Sequence, residues 1–189
     1  MARRLILLLL FIPLVFSCTT DKDDVEPVVQ SPVYLDNNGV TIKAHTWAEV
    51  GQSGEVNGIT YKIVDETTLR TMVNNGEDVT KVCTTKITNM SSLFKDKSFN
   101  ENISSWDVSS VTDMSSMFHD NHTFNTDLSR WDVSKVTNMN RTFRYAWVMN
   151  QDLSDWQVNQ VNDCTGFWAG AFAWDKEKPT FASCDTNIN

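Results

Sequence analysis

The chain has 189 residues, 41% hydrophobic and 21% charged, with 7 Gly, 4 Pro and a formal net charge of −8. This is the composition of an ordinary folded protein, with room for an export segment and one modest domain. Loss of a leader carrying Arg3 and Arg4 would take the charge to −10. Such a surface repels nucleic acid and anionic lipid heads, which excludes both as partners of the folded part.

Residues 1–17 read as a secretory leader. Arg3-Arg4 is the positive start, and Leu5 to Phe16 is an apolar run too short for a membrane-spanning helix of roughly 20 residues. The run ends at Val15-Phe16-Ser17-Cys18, which resembles a bacterial lipobox with Phe16 bulkier than usual. The resemblance implies cleavage before Cys18 and lipid on its sulfur and new amino group, whose chains anchor by burying methylenes. The alternative is a soluble secreted chain with a Cys beside its cleavage site. Residues 18–32, with Asp21-Lys22-Asp23-Asp24 and two prolines, have little to bury and read as a disordered acidic tether. The acidic run after Cys18 is similar to the surface-export signal of some Gram-negative lipoproteins; otherwise it is a plain solvated linker.

Residues 33–86 form a small β+α capping module. Val33-Tyr34-Leu35 and Val40 to Ala44 are β-like runs around Asn38-Gly39, and Ile59 to Val64 is a further strand after the Asn57-Gly58 turn. Asp65 is the expected N-cap of a helix over 66–75, with Leu69, Met72 and Val73 on one face and Gly76 closing it. The module is expected to cover the open first coil of a repeat region that begins at residue 87, with an independent binding domain as the alternative.

Residues 87–168 repeat. Val111-Thr-Asp-Met114-Ser-Ser-Met117-Phe118 leads to Phe124-Asn125-Thr-Asp127-Leu128-Ser-Arg-Trp131-Asp132-Val133-Ser134. Copies begin also at Ile87 and Val136, and Trp106, Trp131 and Trp156 are 25 residues apart. A period of roughly 20–50 residues is the mark of a solenoid. Val111, Met114, Met117 and Phe118 fit one face of a short helix, and Trp131 to Ser134 alternates as a short strand does. The expected fold class is therefore α/β: a right-handed leucine-rich-repeat-like solenoid, one short helix and one short parallel strand per coil, with the β-hairpin plus helix as its cap. Val108/Val133/Val158 and Phe94/Phe118/Phe143/Trp168 should line its core, with methionines filling gaps between aromatics. Asn100, Asn125 and Asn150 should form an amide ladder that satisfies turn amides. Residues 169–189 read as the C-terminal cap.

The pattern Val/Ile-Thr-Asn/Asp-Met-Ser-x-Met/Leu-Phe … Phe-Asn-x-Asp-Leu/Ile-Ser-x-Trp-Asp-Val-Ser resembles the BspA-type bacterial surface-protein repeat, over about residues 82–168. The resemblance implies a leucine-rich-repeat-like solenoid displayed on a cell surface, with an adhesive role. Gln157, Asn159, Cys164 and Gly166 depart from the repeat near its end.

Of the four cysteines, Cys18 is expected to carry lipid. Cys164 and Cys184 are expected to form a disulfide closing the C-terminal end, with Cys83 free and buried; three reduced, packed thiols are the alternative. No catalytic constellation stands out, and the expected protein is not an enzyme, with a hydrolase kept as a distant rival. His119 and His122 are three residues apart, but in a loop, so no metal site and no cofactor are expected. Asp107/Asp132 and Asp127/Asp152 should stack as like charges; their carboxylates are expected to accept turn amides, with calcium between coils as the alternative. The loop residues His119, His122, Arg144, Tyr145 and Trp147 are the candidate contacts. The expected function is a non-enzymatic, outer-membrane, surface-exposed lipoprotein that adheres to or binds a protein; the alternative is a glycan-binding module of a nutrient-capture system using Trp147, Trp168 or Trp174. The partner is an unknown surface protein or glycan, with the membrane met only through the lipid.

Overall fold

Turn and strand signals before residue 84 produce five short strands. A computed structural model describes residues 30–182 together with Cys184 and Thr186. The expected leader, Cys18 and most of the tether lie outside the described residues. From Ser31 onward the described residues form one unit. β1 (Val33–Leu35) pairs antiparallel with β2 (Ile42–Ala44), and β3 (Ser53–Val56) pairs antiparallel with β4 (Ile59–Ile63). β4 also takes β5 (Val82–Cys83) in parallel, which makes a three-stranded sheet.

Between β4 and β5 runs α1 (Glu66–Asn75). The Asp65 carboxylate accepts the Thr68 N–H at 2.8 Å, which caps the first turn and holds that carboxyl below its usual range. Gly76, at φ 69°, ends the helix in the left-handed region. Leu69 is the buried anchor of the helix and joins Val64, Val79 and Val82 in a core that continues through the repeats to Trp174. A second, smaller core holds Val33, Ile42, Ala44, Ala48, Tyr61, Ile63 and Cys83.

The α/β leucine-rich-repeat-like solenoid expected from the sequence is not what forms. The fold is one of small β-sheets with a single short helix among the described residues, and that helix precedes the repeats. Residues 87–168 contain neither the expected helix nor the expected strand; they are turns joined by single parallel bridges, Asn89–Asp113, Asp113–Asn138 and Asn138–Asp163.

The backbone shows why. Ser92, Asp96, Ser116, Asp120, Arg141 and Tyr145 all have φ between 53° and 57°. A positive φ within the first turn stops a helix, at about 1–2 kcal/mol for a residue with a Cβ. Alternate amides then serve different partners. Met114, Ser116, Phe118 and Asp120 donate to the carbonyls of Asn138, Asn140, Thr142 and Arg144 in the next copy, at 2.8–2.9 Å. Met117, His119 and Asn121 donate three residues back, to Met114, Ser116 and Phe118, at 3.0–3.1 Å. The same alternation recurs from Met90 and from Met139.

Trp131 to Ser134, expected as a strand, also turns: the Trp131 N–H donates to Leu128 O and the Val136 N–H to Val133 O. Asp and Asn residues fold the chain at set points by accepting the N–H two residues on. Asp113 accepts from Ser115, Asp127 from Ser129, Asp132 from Ser134 and Asp152 from Ser154. These are the turn amides expected to occupy the stacked carboxylates. Asp163 is partly buried, which opposes its charge. Hydrogen bonds from Thr165 and Asn140, with Arg141 nearby, outweigh that and hold its carboxyl low.

Side chains of equivalent positions lie against one another. Trp106 and Trp131 stack with centroids 6.5 Å apart and planes 5° from parallel. Each indole N–H reaches back to an earlier carbonyl: Trp106 to Val79, Trp131 to Ile103 and Trp156 to Leu128, at 3.0–3.3 Å. Phe94, Phe118 and Phe143 stack at 5.6 and 5.3 Å. Trp168, expected as the next rung of that ladder, is only half-buried, with Lys178 Nζ 4.9 Å from its ring centroid. Phe167 fills the core instead, edge-on to Phe143 at 5.3 Å. Among the described residues no further copy follows this rung to sandwich a flat indole, and the smaller neighbouring ring turns inward. The Asn ladder is present: Asn100 Oδ1 accepts the Asn125 N–H at 2.7 Å, and Asn125 Oδ1 accepts the Asn150 N–H at 2.8 Å.

These contacts set two expectations. Trp131→Phe keeps the stack and loses one buried indole bond, costing about 1 kcal/mol, whereas Trp131→Ala costs about 3–5 kcal/mol. Ser116→Val places a branched side chain at φ 54° and costs at least ~1 kcal/mol, while Ser116→Gly is tolerated. Urea unfolding of the four variants measures both; equal effects of Val and Gly at residue 116 would refute the backbone account.

Candidate functional site

Beside each pair of turns, the same segment of successive copies carries the loop side chains. Asp120 and Tyr145 occupy equivalent left-handed positions, with Gly170 (φ 75°) next in line. The Tyr145 ring lies where a Cβ on Gly170 would collide with it, so glycine there is required for the ring to lie flat. The Arg144 guanidinium sits 4.8 Å from the centre of that ring, and its Nη2 donates to the Tyr145 hydroxyl at 3.2 Å. His119 stacks on Tyr145 at 6.1 Å, and His122 stacks on Trp147 at 3.7 Å with planes 9° apart. Asp120 lies between the imidazoles, 3.3 Å from His119 Nε2 and 3.6 Å from His122 Nε2.

The five candidate contacts, His119, His122, Arg144, Tyr145 and Trp147, thus come together on one ridge. Trp147 is 48% exposed and Phe172, in the next copy, 82%. Phe172 was missed by sequence reasoning, although it stands 25 residues after Trp147 and 50 after His122. A second aromatic patch, Tyr34, His45 and Trp47, has ring centroids 4.6 and 5.4 Å apart on the β1–β2 module. It too was missed, because no repeat frames those positions. Of the tryptophans weighed for glycan stacking, Trp147 is exposed, Trp168 half-buried and Trp174 buried, its indole bonded to Gln151 O at 2.8 Å.

Three buried side-chain polar atoms lack a hydrogen-bond partner among the described residues: His119 Nδ1, His122 Nε2 and Arg144 Nε. All three belong to this ridge. Buried polar groups are ordinarily satisfied; His122 Nε2 faces Asp120 Oδ1 at 3.6 Å, and His119 Nδ1 and Arg144 Nε are closed off from the surface. Among the described residues no group of three or more His, Cys, Asp or Glu is placed to hold a metal ion, and no helix is long and apolar enough to cross a membrane. Cys164 and Cys184 are joined by a disulfide, Cα atoms 5.6 Å apart. Cys83 is free, and burial raises its thiol pKa; Cys18 lies outside the described residues.

Residues 64–181 match a family model described as "Mycoplasma protein of unknown function, DUF285". The chain belongs to this family. The match takes in α1, β5 and the repeats together. No curated protein and no solved structure matches the chain.

His119 gives the ridge a pH dependence. Burial lowers its pKa most; Asp120 and Asp96 oppose that, and Lys95 and Arg144 reinforce it. The ordinary value is 6.5, so the unfolded chain takes up the proton first as pH falls below it. Stability is therefore expected to be complete above that pH and to decline as pH drops from 6.5 toward the lowered native value. Thermal melts at pH 7.5 and 5.5 should show a smaller loss for His119→Gln than for the parent; identical losses would remove His119 from the account.

Proposed function

We propose that this chain is a non-enzymatic binding protein held at the bacterial outer membrane by lipid on Cys18, and that the ridge of His119, His122, Arg144, Tyr145, Trp147 and Phe172 grips a partner protein. The observation that carries this reading is the grouping of the exposed Trp147 and Phe172 rings with the Arg144–Tyr145 pair on one ridge. Rigid aromatics and arginine are the side chains that dominate protein interfaces. His119 on Tyr145 and His122 on Trp147 are already stacked, so these four rings lose little side-chain freedom on contact. The resemblance to BspA-type surface repeats supports display on a cell surface and an adhesive role. The leader and Cys18 supply the lipid-anchor part of the proposal from sequence alone.

A glycan-binding module is the second reading. It is favoured by the flat His122–Trp147 stack, on which a sugar face could lie. Against it, Trp168 and Trp174 are covered to different degrees and offer no extended platform.

The test is binding of the protein to a panel of matrix proteins and glycans, repeated with Trp147→Ala, Phe172→Ser and Arg144→Ala. For a protein partner, Trp147→Ala or Arg144→Ala should weaken binding by about tenfold or more, since hot-spot truncations cost at least about 2 kcal/mol. The Phe172→Ser variant should keep its melting temperature. Binding of glycans alone would replace the first reading by the second; partners indifferent to all three substitutions would defeat both.

A further inference from the structure

Next to the His119 end of the ridge, α1 and the loop of the first repeat line an open cavity of about 320 Å³ formed by Arg70, Asn74, Ser92, Leu93, Lys95, Asp96 and Lys97. Its size lies at the low end of small-molecule sites, which begin at about 300 Å³. Leu93 is the one apolar residue in the lining. Three cations and one carboxylate line it, in a chain whose net charge is −8.

The positions are set by the fold. Arg70 and Asn74 are one helical turn apart on α1, so they face the cavity together. Arg70 is fixed in place: Nε donates to Glu66 at 2.9 Å, Nη1 to Ser91 O at 2.9 Å and Nη2 to Asn89 Oδ1 at 3.3 Å. Nη2 also donates to Asn89 O at 3.5 Å; of the guanidinium's five N–H groups one Nη1 hydrogen is left for a ligand. Lys95 lies 3.8 Å from Asp96, a loose pair on exposed side chains. Lys95 and Lys97 flank Asp96, which the left-handed backbone at φ 57° holds in the loop.

We propose that this cavity binds a small polar ligand bearing an oxyanion, a carboxylate or sulfate on a body the size of one sugar ring. Arg70 supplies a fixed positive charge and one remaining N–H for the oxyanion. Lys95 and Lys97 add charge, and Asn74 and Ser92 offer an amide and a hydroxyl to ring hydroxyls. Glu66 and Asp96 offset part of the positive charge, so affinity depends on Lys97 and on the fixed position of Arg70. This site does not depend on the ridge or on its partner.

The experiment is a heteronuclear NMR titration of the protein with sodium glucuronate, with a sulfated monosaccharide and with glucose, each at matched sodium chloride. Saturable shifts at Asn74, Ser92, Lys95 and Lys97 with either anion, and none with glucose, are expected; which anion saturates first identifies the oxyanion. Lys97→Glu should weaken binding at least tenfold with an unchanged melting temperature. Arg70→Lys should also weaken it, and Trp147→Ala should leave it intact. Absent or non-saturating shifts with both anions, an equal response to glucose, or full affinity in Lys97→Glu would overturn the proposal.

Discussion

Alternation of backbone hydrogen bonds is the constraint on which the rest of the repeat region depends. In each copy one amide bonds forward to the next copy and its neighbour bonds back within a turn. A helix would send every amide back, and a strand ladder would send alternate amides to opposite neighbours. This chain does neither, and left-handed residues at fixed points keep it so. Ser, Asp, Asn and Gly tolerate or favour such points; Arg141 and Tyr145 do so against their own preference, held by the backbone bonds that join neighbouring copies.

Much of the repeat was legible as burial. Met114, Met117 and Phe118 are all buried, as a single apolar face requires, and the Trp and Asn ladders stand where the 25-residue spacing places them. The secondary structure was not legible, because the spacing i, i+3, i+7 says which residues share a side and not what backbone joins them. Ser116 and Asp120 do not declare a positive φ; either is at home in a helix cap. By contrast α1 was readable to the residue, since Asp65 and Gly76 are chemically distinct stop signals. β5 was hidden: Val82–Cys83 is two residues long and owes its pairing to β4.

The ridge is a consequence of the same register. Because copies bond amide to carbonyl at fixed positions, loop residues 25 apart fall beside each other, and His122 meets Trp147 ring to ring. The sequence named five of these residues because they break the repeat. Asp120 escaped notice since Asp96 fills the equivalent place and made it look like ordinary repeat chemistry, yet it lies within 4 Å of both imidazoles.

A stack of turns has free ends, and the two ends here are treated differently. At the start, Val79 and Leu69 lie against the first copy, and Val79 O takes the Trp106 indole bond that an earlier copy would have taken. The capping module thus imitates a rung without repeating its sequence. At the other end the repeat itself changes: Phe167 replaces a flat stack with an edge contact, Trp174 bonds back to Gln151, and Cys164, standing where Met114 and Met139 stand in earlier copies, is tied to Cys184. The Trp168 N–H also donates to Thr186 O at 3.4 Å, and the covalent tie stabilises this end by restricting the unfolded chain. The His119, His122, Arg144, Tyr145 and Trp147 part of the ridge lies between these two ends, where neighbouring copies on both sides fix the backbone, and a binding surface made of stacked loops needs that rigidity to hold its rings in register.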